Sequence, residues 1–443
     1  MAIINFNSIS GVSTISVASS ITVGSGVTIT ATSIQASSFT GALTGNVTGN
    51  VTGNVTGNVT GTVNSTSGVT TVTTLNATSI VGVTTAGITT AYISSVNDGP
   101  LSGARNRIIN GDMKIFQRGS ATTIGASSVY ALDRWLFGRE AGTESARFTV
   151  TSESLTSSDT PFTSDGLRKT MKVDITTASG GISAAQSHYI MQRIEGFNVS
   201  DLVYGTSSAK TCTVSFWLKT DVKTGQMGVA LYNGGNRYYV QNINATTSWT
   251  KYTLVFPGDT SGSIADDNTQ QLTLIFTLSS GSNLQGGANS WTGNFRNSTS
   301  GQADFTDSTS NNIYLTGVQL EIGDRATPFE KRSYSQELSL CHRYFHRMDT
   351  GRFVMGYKRH DTECAWFYQS PVPMRTSPSP TLNSGGNFTN FQSSFGTTQS
   401  NPTVYEYSTN TGNGVLGCSS TWGSTHTYIP SWEAFNISFS AEL

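Results

Sequence analysis

Residues 211–220 read TCTVSFWLKT, and residues 312–323 read NIYLTGVQLEIG. In both runs apolar residues alternate with polar ones, which places the apolar side chains on one face of an extended chain. Similar runs follow the first one, namely GQMGVALYN (225–233), WTKYTLVFPG (249–258) and QLTLIFTLSS (271–280). Loops rich in Gly, Asn and Ser separate them. Many short strands joined by such loops predict a jelly-roll β-sandwich over residues 101–330, in a chain that is mostly β.

Residues 333–348, SYSQELSLCHRYFHRM, are the stretch with helical spacing. Apolar residues recur there every three or four positions, and Ser333 followed by Gln336 fits a capping box. This pattern predicts a short connecting helix within residues 331–348. The following block, residues 349–443, is predicted to be a C-terminal β-rich tip domain, because it ends in the alternating run AFNISFSAEL and its prolines mark loops or strand edges.

A different pattern fills the start of the chain, where residues 43–63 read LTGNVTGNVTGNVTGNVTGTV. Valine recurs every four residues, at Val47, Val51, Val55, Val59 and Val63. An even spacing keeps these side chains on one face of an extended chain, whereas a helix would scatter them and each Gly would cost about 1 kcal/mol. So narrow a stripe cannot form a core within one chain. It predicts that residues 1–100 form a fibrous β-repeat shaft in an intertwined homotrimer; the alternative is a flexible Gly-rich linker.

The composition excludes several classes of partner. Charged residues make up 12% of the 443 residues and the net charge is −1, so nothing favours binding to nucleic acid. No apolar stretch is long enough for membrane insertion, and the first residues show no secretory signal. The four cysteines lie far apart in the sequence. We interpret them as buried free thiols, and we predict no metal and no cofactor.

The segments RNRIINGDMKIFQRG, DRW, SFWLK and YLTGVQLEIGDRATPFEKRSYSQELSLCHRYF together resemble a family of bacteriophage tail-fibre proteins. That family carries a jelly-roll module similar to galactose-binding-like carbohydrate-binding domains. The N-terminal GNVTG and GVTT repeats are similar to those of cyanophage virion fibres. The resemblance implies a trimeric fibre in the phage tail that contacts the host surface, with residues 1–100 as its virion-attachment region. It also implies assembly in the host cytoplasm.

Residue patterns that could support catalysis or hold a metal are weak. Asp266 and Asp267 are sequence neighbours, whereas a glycosidase needs two carboxyl groups roughly 5–10 Å apart across a cleft. His342 and His346 have i, i+4 spacing, but the Glu of a His-Glu-x-x-His motif is missing. Asn110, Asp112 and Glu321 could hold a structural calcium, with turn capping and a surface carboxylate as the alternative. We therefore predict a protein that is not an enzyme.

The candidate glycan-binding residues are aromatic residues that flank polar loops. A sugar offers flat C–H faces and hydroxyl edges, so a binding site combines an exposed aromatic ring with polar side chains. The residues that meet this description are Tyr238 and Tyr239 after the loop NGGNR, and Tyr405, Tyr407, Trp422, His426 and Tyr428 in the C-terminal block. Packing in a core or at an interface is the alternative for each of them. The C-terminal block is the predicted receptor site because it lies farthest from the attachment end.

The predicted function is that of a bacteriophage tail fibre, a structural virion component that recognises a host receptor and mediates adsorption. Its predicted partners are two further copies of the chain, tail or baseplate proteins at the N-terminus, and a host cell-surface glycan or lipopolysaccharide. The first alternative is a tailspike-like polysaccharide depolymerase. The second is a bacterial surface adhesin, against which the missing secretory signal argues.

Overall fold

The computed structural model describes residues 105–119, 122–124, 128–140, 146–348, 354–360, 363–384, 388–389, 398–399, 403–409, 413–419, 428–431 and 436–443. For residues 122–124 and residue 140, the structure describes the backbone alone. The same holds for the strands between residues 354 and 436, except that side chains are described for residues 369–381. All these residues belong to one compact unit, residues 88–443. The predicted shaft valines and the residues Trp422 and His426 lie outside the described residues. The shaft and the trimer therefore stay predictions.

The described residues are mostly β. Their strands are β1 (Thr122–Ile124), β2 (Val129–Leu132), β3 (Trp135–Glu140), β4 (Arg147–Ser154), β5 (Lys169–Thr177), β6 (Ser187–Glu195), β7 (Cys212–Thr220), β8 (Gly225–Asn233), β9 (Arg237–Ala245), β10 (Thr250–Phe256), β11 (Gln270–Ser280), β12 (Trp291–Thr292), β13 (Asn312–Ile322), β14 (Phe345–Met348), β15 (Val354–His360), β16 (Glu363–Gln369), β17 (Ser379–Ser384), β18 (Phe388–Thr389), β19 (Thr398–Gln399), β20 (Thr403–Thr409), β21 (Asn413–Ser419), β22 (Tyr428–Ser431) and β23 (Asn436–Ser440). The α-helices are α1 (Thr160–Asp165) and α2 (Tyr334–His342).

Two antiparallel sheets form a sandwich over the region between β1 and β13. One has the strand order β1-β4-β5-β13-β7-β10, and the other β12-β9-β8-β11-β6-β3-β2. A shared core lies between them, to which the six-stranded sheet contributes Val173 and Phe216 and the seven-stranded sheet Leu231 and Phe276. The five runs that predicted strands correspond to β7, β8, β10, β11 and β13 within about two residues at each end. Period-2 alternation therefore predicted these strands correctly.

Helix α2 begins where the sequence indicates and ends earlier than predicted. Ser333 and Gln336 form the capping box, with the Ser333 side chain accepting from the backbone N–H of Gln336. The helix ends at His342, and Phe345–Met348 form β14, which pairs with β23. The prediction of helix up to Met348 is wrong. Tyr344 and Phe345 are buried, and β14 pairs along the backbone of β23.

The strands from β14 onward form three further sheets, the smallest of which consists of β18 and β19. Strand β23 lies between β14 and β17, and a five-stranded sheet has the order β20-β21-β16-β15-β22.

The predicted free thiol is confirmed for Cys212 and Cys341, which are buried. Cys364 and Cys418 occupy directly opposite register positions on β16 and β21, although 53 residues separate them in the sequence. The separate tip domain stays a prediction.

Candidate functional site

A cleft of about 330 Å³ lies on the outer face of the seven-stranded sheet. The central strands β6, β11, β8 and β9 provide most of its walls. Its lining consists of Tyr189, Met191, Arg193, Tyr232, Tyr238, Gln270, Thr273, Ile275 and Phe295. Every member except Phe295 belongs to one of those four strands.

Strand register brings the polar and aromatic lining residues into one row. Arg193 pairs with Thr273, Thr273 pairs with Tyr232, and Tyr232 pairs with Tyr238. Successive side chains alternate between the two faces of a sheet, so the neighbours of these residues point into the sandwich. The turn between β8 and β9 fixes the last pair. There Asn236 has a φ of 59°, a left-handed conformation that Asn tolerates better than most residues.

Three aromatic rings form one side of the cleft. Tyr232 and Tyr238 stack with their centroids 4.6 Å apart and an interplanar angle of 29°. Phe295 meets Tyr238 edge to face at 5.2 Å. Tyr232 and Phe295 are partly exposed, whereas Tyr238 is 8% exposed. The floor is apolar, because Met191 and Ile275 belong to a cluster on this face that also includes Leu136, Ala230 and Val240.

Polar side chains lie beside the rings in the same lining. Gln270 donates from Nε2 to Oγ1 of Thr273 at 2.9 Å. Arg193 is the charged residue of the lining. Its guanidinium donates to the backbone oxygen of Leu443, and its own backbone oxygen accepts from Arg134.

Residues 441–443 run along the end of the sheet next to Arg193. The carboxylate of Glu442 accepts from Arg118 at 2.7 Å and forms a buried ion pair with Arg134. The Tyr130 hydroxyl donates to the backbone oxygen of Leu443 at 2.8 Å. Arg375 donates to the backbone oxygens of residues 441 and 442. We call residues 441–443 the terminal tail.

Burial shapes the ionisation of the groups beneath this tail. Asp133 accepts hydrogen bonds from the backbone and side chain of Gln117. Burial nevertheless raises the pKa of Asp133 to about 6, since its charged form loses solvation. Burial, followed by the charge of Glu442, also raises the pKa of Tyr130.

The structure separates the two tyrosines that the sequence put forward together. Tyr238 lines the cleft. Tyr239, predicted as its companion, belongs to the sandwich core, where it contacts Phe256 and Trp291 edge to face at 5.6 and 5.5 Å. Tyr405, Tyr407 and Tyr428 lie on strands β20 and β22. Their side chains lie outside what the structure describes, so their role stays a prediction.

Sequence reasoning missed Tyr232, Phe295, Arg193, Gln270 and Thr273. For Tyr232 a signal was present, because the predicted strand 225–233 and Tyr238 flank one short loop, and a hairpin across that loop pairs residues 232 and 238. The other four residues lie at the cleft because of the order of the strands in the sheet and the path of a long loop. No local pattern in the sequence indicates the strand order or the path of the loop.

A larger groove of about 930 Å³ runs along α2 and includes Arg107, Arg332 and Arg343 in its lining. Each of these arginines has an acidic partner: Asp201, Glu337 and Glu195, respectively. The Arg343–Glu195 contact is bidentate, at 2.7 and 2.8 Å. These guanidinium charges are therefore already matched within the fold, which leaves the cleft on the seven-stranded sheet as the stronger candidate site.

The possible metal and catalytic groups have partners within the protein. Asp112 pairs with Lys114 at 2.9 Å, and Glu321 accepts from the backbone and hydroxyl of Thr327. Asp267 accepts from Thr269 in an exposed turn. Within the described residues, no group of three or more His, Cys, Asp or Glu side chains could hold a metal ion, and no helix is long and apolar enough to cross a membrane.

The rings of His342 and His346 meet edge to face at 4.9 Å. His342 is the last residue of α2 and His346 lies on β14. The two histidines therefore do not lie on one face of a single helix. A shared metal site at i, i+4 spacing would need that arrangement.

No protein-family model and no curated protein matches the chain in sequence. Among solved structures, the chain is similar to the enzymatically active domain of tailspike protein 4 of bacteriophage CBA120, at 12% identity and a TM-score of 0.27. That match covers 49% of this chain and 21% of the tailspike domain, so this chain spans about a fifth of that domain's length.

Two carbohydrate-binding modules show similar levels of likeness. The xylan-binding domain CBM22-1 of Paenibacillus barcinonensis Xyn10C is 10% identical with a TM-score of 0.25, over 52% of this chain and 100% of that one. TmCBM61, solved with β-1,4-galactotriose, is 11% identical with a TM-score of 0.24, over 49% and 99%. Likenesses this distant carry no argument about this chain. The functional argument rests on the residues of the cleft.

Proposed function

We propose that this protein binds glycans, and that the cleft on the seven-stranded sheet is a binding site. The observation that carries the proposal is that the aromatic rings of Tyr232, Tyr238 and Phe295 line one cleft together with the polar side chains of Gln270 and Thr273. Aromatic faces pack against the C–H faces of a sugar ring. Amide and hydroxyl groups hydrogen-bond the sugar hydroxyls and so fix the orientation of the ligand.

The size of the cleft limits what it can hold. Small-molecule sites usually have volumes of about 300–1,000 Å³, and this cleft lies at the lower end of that range. We propose that it takes a chain end or a short segment of a host-surface glycan or lipopolysaccharide. Single-site affinity is then modest.

We propose further that the protein serves as a bacteriophage tail fibre. The support is the valine repeat of residues 43–63 and its resemblance to virion fibres. In a homotrimer, three modest sites engage one cell surface together, and avidity raises the overall strength of adsorption by several orders of magnitude. Residues 1–100 would attach to tail or baseplate proteins.

We propose that the cleft binds without cleaving. Glycoside hydrolysis needs a pair of carboxyl groups flanking the scissile bond, and the described lining of the cleft contains none. Incubation with host polysaccharide should then release no new reducing ends. Release of reducing ends by the purified full-length protein would instead favour a depolymerase.

Substitution of Tyr232 tests the binding site. Tyr232→Ala should weaken glycan binding by roughly 30-fold, because losing an aromatic anchor at an interface often costs about 2 kcal/mol. Glycan-array binding followed by calorimetry measures the effect on the full-length protein.

Tyr334 supplies the matched control. It is 61% exposed on α2 and lies outside the cleft, so Tyr334→Ala should leave binding unchanged. Full glycan binding by a folded Tyr232→Ala variant would place the site elsewhere, with the C-terminal aromatic residues as the next candidates.

A further inference from the structure

Two cysteines of the C-terminal block lie directly opposite each other on neighbouring strands. Cys364 belongs to β16 and Cys418 to β21, and the two residues are register partners in the antiparallel ladder between these strands. The ladder continues from this pair to Gln369 opposite Asn413 without a register shift. Because β16 and β21 are neighbours inside the five-stranded sheet, the backbone fixes the relative position of the two cysteines.

The backbone geometry of such partners suits a disulfide bond. Directly opposite residues of antiparallel strands have Cα atoms about 4.5 or 5.5 Å apart, depending on whether the pair is hydrogen-bonded. The Cα atoms of the two cysteines in a disulfide are usually about 4.4–6.8 Å apart. Register partners also share one face of the sheet, since side chains alternate between the faces with a period of two. Either kind of pair therefore meets the backbone requirement.

The other two cysteines of the chain belong to other elements. Cys212 lies on β7 in the sandwich core, and Cys341 lies on α2. Both are free thiols and are buried. A thiol buried in apolar surroundings is inert toward reagents in solution. These two residues therefore provide an internal reference for the reactivity of Cys364 and Cys418.

From this register we propose that Cys364 and Cys418 form a disulfide when the protein meets a small-molecule disulfide such as oxidised glutathione. The thiolate of one cysteine attacks a sulfur of glutathione disulfide, which forms a mixed disulfide and releases one glutathione. The thiolate of the second cysteine attacks the protein sulfur of the mixed disulfide and releases the other glutathione. The two cysteines together lose two protons and two electrons, and glutathione disulfide becomes two thiols. For these two residues the proposal departs from the free thiols that the sequence predicts.

The bond would act as a redox-dependent cross-link within the C-terminal block. It closes a loop with 53 intervening residues, and such a cross-link stabilises a fold mainly by restricting the unfolded chain. Strand β20, which includes Tyr405 and Tyr407, pairs with β21 and lies inside that loop. In a reducing compartment the two thiols persist, whereas in an oxidising one the disulfide forms. The proposal is independent of glycan binding in the cleft.

Peptide mapping of the full-length protein tests the proposal. The reduced, folded protein is incubated with oxidised glutathione, quenched with acid, unfolded and alkylated with N-ethylmaleimide. Trypsin then cuts after Arg375, which lies between the two cysteines in the sequence. We expect mass spectrometry to show one cross-linked peptide that joins Cys364 to Cys418. The alkylated thiols should fall from four per chain to two, which are Cys212 and Cys341.

Substitution of Cys418 links the bond to stability. Oxidation should raise the temperature of thermal unfolding of the parent protein, because the closed loop restricts the unfolded chain. Cys418→Ser should abolish both the cross-linked peptide and this rise. Ser419→Ala is the matched control, because it removes a hydroxyl from the neighbouring position of the same strand. This variant should retain the cross-linked peptide and the rise in unfolding temperature.

Three outcomes would overturn the proposal. The first is four alkylated thiols per chain after oxidation, and the second is glutathione attached to single cysteines without a cross-linked peptide. The third is a covalent dimer in electrophoresis without reductant, which would place the bond between chains. If Cys418→Ser fails to fold, the peptide map of the parent protein decides the question, because it identifies both partners of the bond directly.

Discussion

Tyr238 and Tyr239 are adjacent in the sequence and have opposite surroundings. Tyr238 stacks on Tyr232 at the cleft, whereas Tyr239 contacts Phe256 and Trp291 inside the sandwich. Tyr239→Ala should lower the free energy of unfolding by about 3–5 kcal/mol, because it leaves a large cavity in a packed core. Urea denaturation followed by tryptophan fluorescence measures the loss. A change below about 1 kcal/mol would contradict the placement of Tyr239 in the core.

Asp133 predicts a pH dependence of stability. Its pKa is about 6 in the folded protein because of burial, above the usual value of about 3.9 in an unfolded chain. A carboxyl with the higher pKa in the folded state binds its proton more tightly there. Its contribution is therefore most favourable below about pH 4, and the free energy of unfolding falls as the pH rises from about 4 to 6. The fall amounts to about 3 kcal/mol.

Asp133→Asn removes the titrating group and so removes this part of the pH dependence. Urea unfolding of both proteins at several values between pH 4 and pH 7 gives the comparison. The difference between parent and variant should change steadily from pH 4 to pH 6 and then level off. A constant difference across this range would show that Asp133 titrates at the same pH in the folded and unfolded states.

The sequence predicted the surroundings of a residue where they depend on a single strand. It did not predict them where several strands meet. Alternation predicted the face of the strand on which Phe216 and Leu231 lie, because that face depends only on whether a residue's position in the strand is odd or even. It could not place Arg193 beside Leu443, because 250 residues separate them. Such contacts follow from strand order, and strand order depends on packing between distant segments.

At the scale of elements, the terminal tail links β23 to the seven-stranded sheet. The side chain of Glu442 is 5% exposed and forms ion pairs with Arg118 and Arg134. The side chain of Arg134 is 1% exposed and lies over the ring of Tyr344. Glu442→Gln should lower the free energy of unfolding by about 3–5 kcal/mol, because it leaves a buried guanidinium without its carboxylate. Thermal and urea unfolding of the full-length protein measure this loss.

Glu153 provides the matched control for Glu442. Its ion pair with Lys172 is 3.7 Å long and exposed to solvent, so Glu153→Gln should cost less than about 1 kcal/mol. Equal effects of the two substitutions would mean that the tail does not hold its position through Glu442.

Helix α2 and β14 show what local patterns can and cannot decide. The capping box at Ser333 is a local signal, and it marked the start of the helix correctly. The end of the helix is set by β23, the partner strand of β14, which lies about 90 residues further along the chain. Residues 343–348 therefore have helical spacing in the sequence, but strand pairing decides their structure.

At the scale of the whole molecule, the valine repeat predicts an obligate homotrimer. Sedimentation of the full-length protein should show a trimer. Replacing both Val51 and Val55 with Asp should loosen the shaft, because three chains would then bring unpaired charges together at the axis. A stable monomer of the parent protein would contradict the prediction. A trimer unaffected by the double substitution would show that the contacts between subunits lie outside the repeat.

The structure of the full-length protein with a bound oligosaccharide, selected by glycan array, tests the central claim most directly. We predict that a sugar ring lies in the cleft of the seven-stranded sheet, packed against Tyr232 and Phe295 and hydrogen-bonded to Gln270 or Thr273. An oligosaccharide bound beside Tyr405, Tyr407 and Trp422, with the cleft empty, would contradict this account and move the receptor site to the C-terminal block.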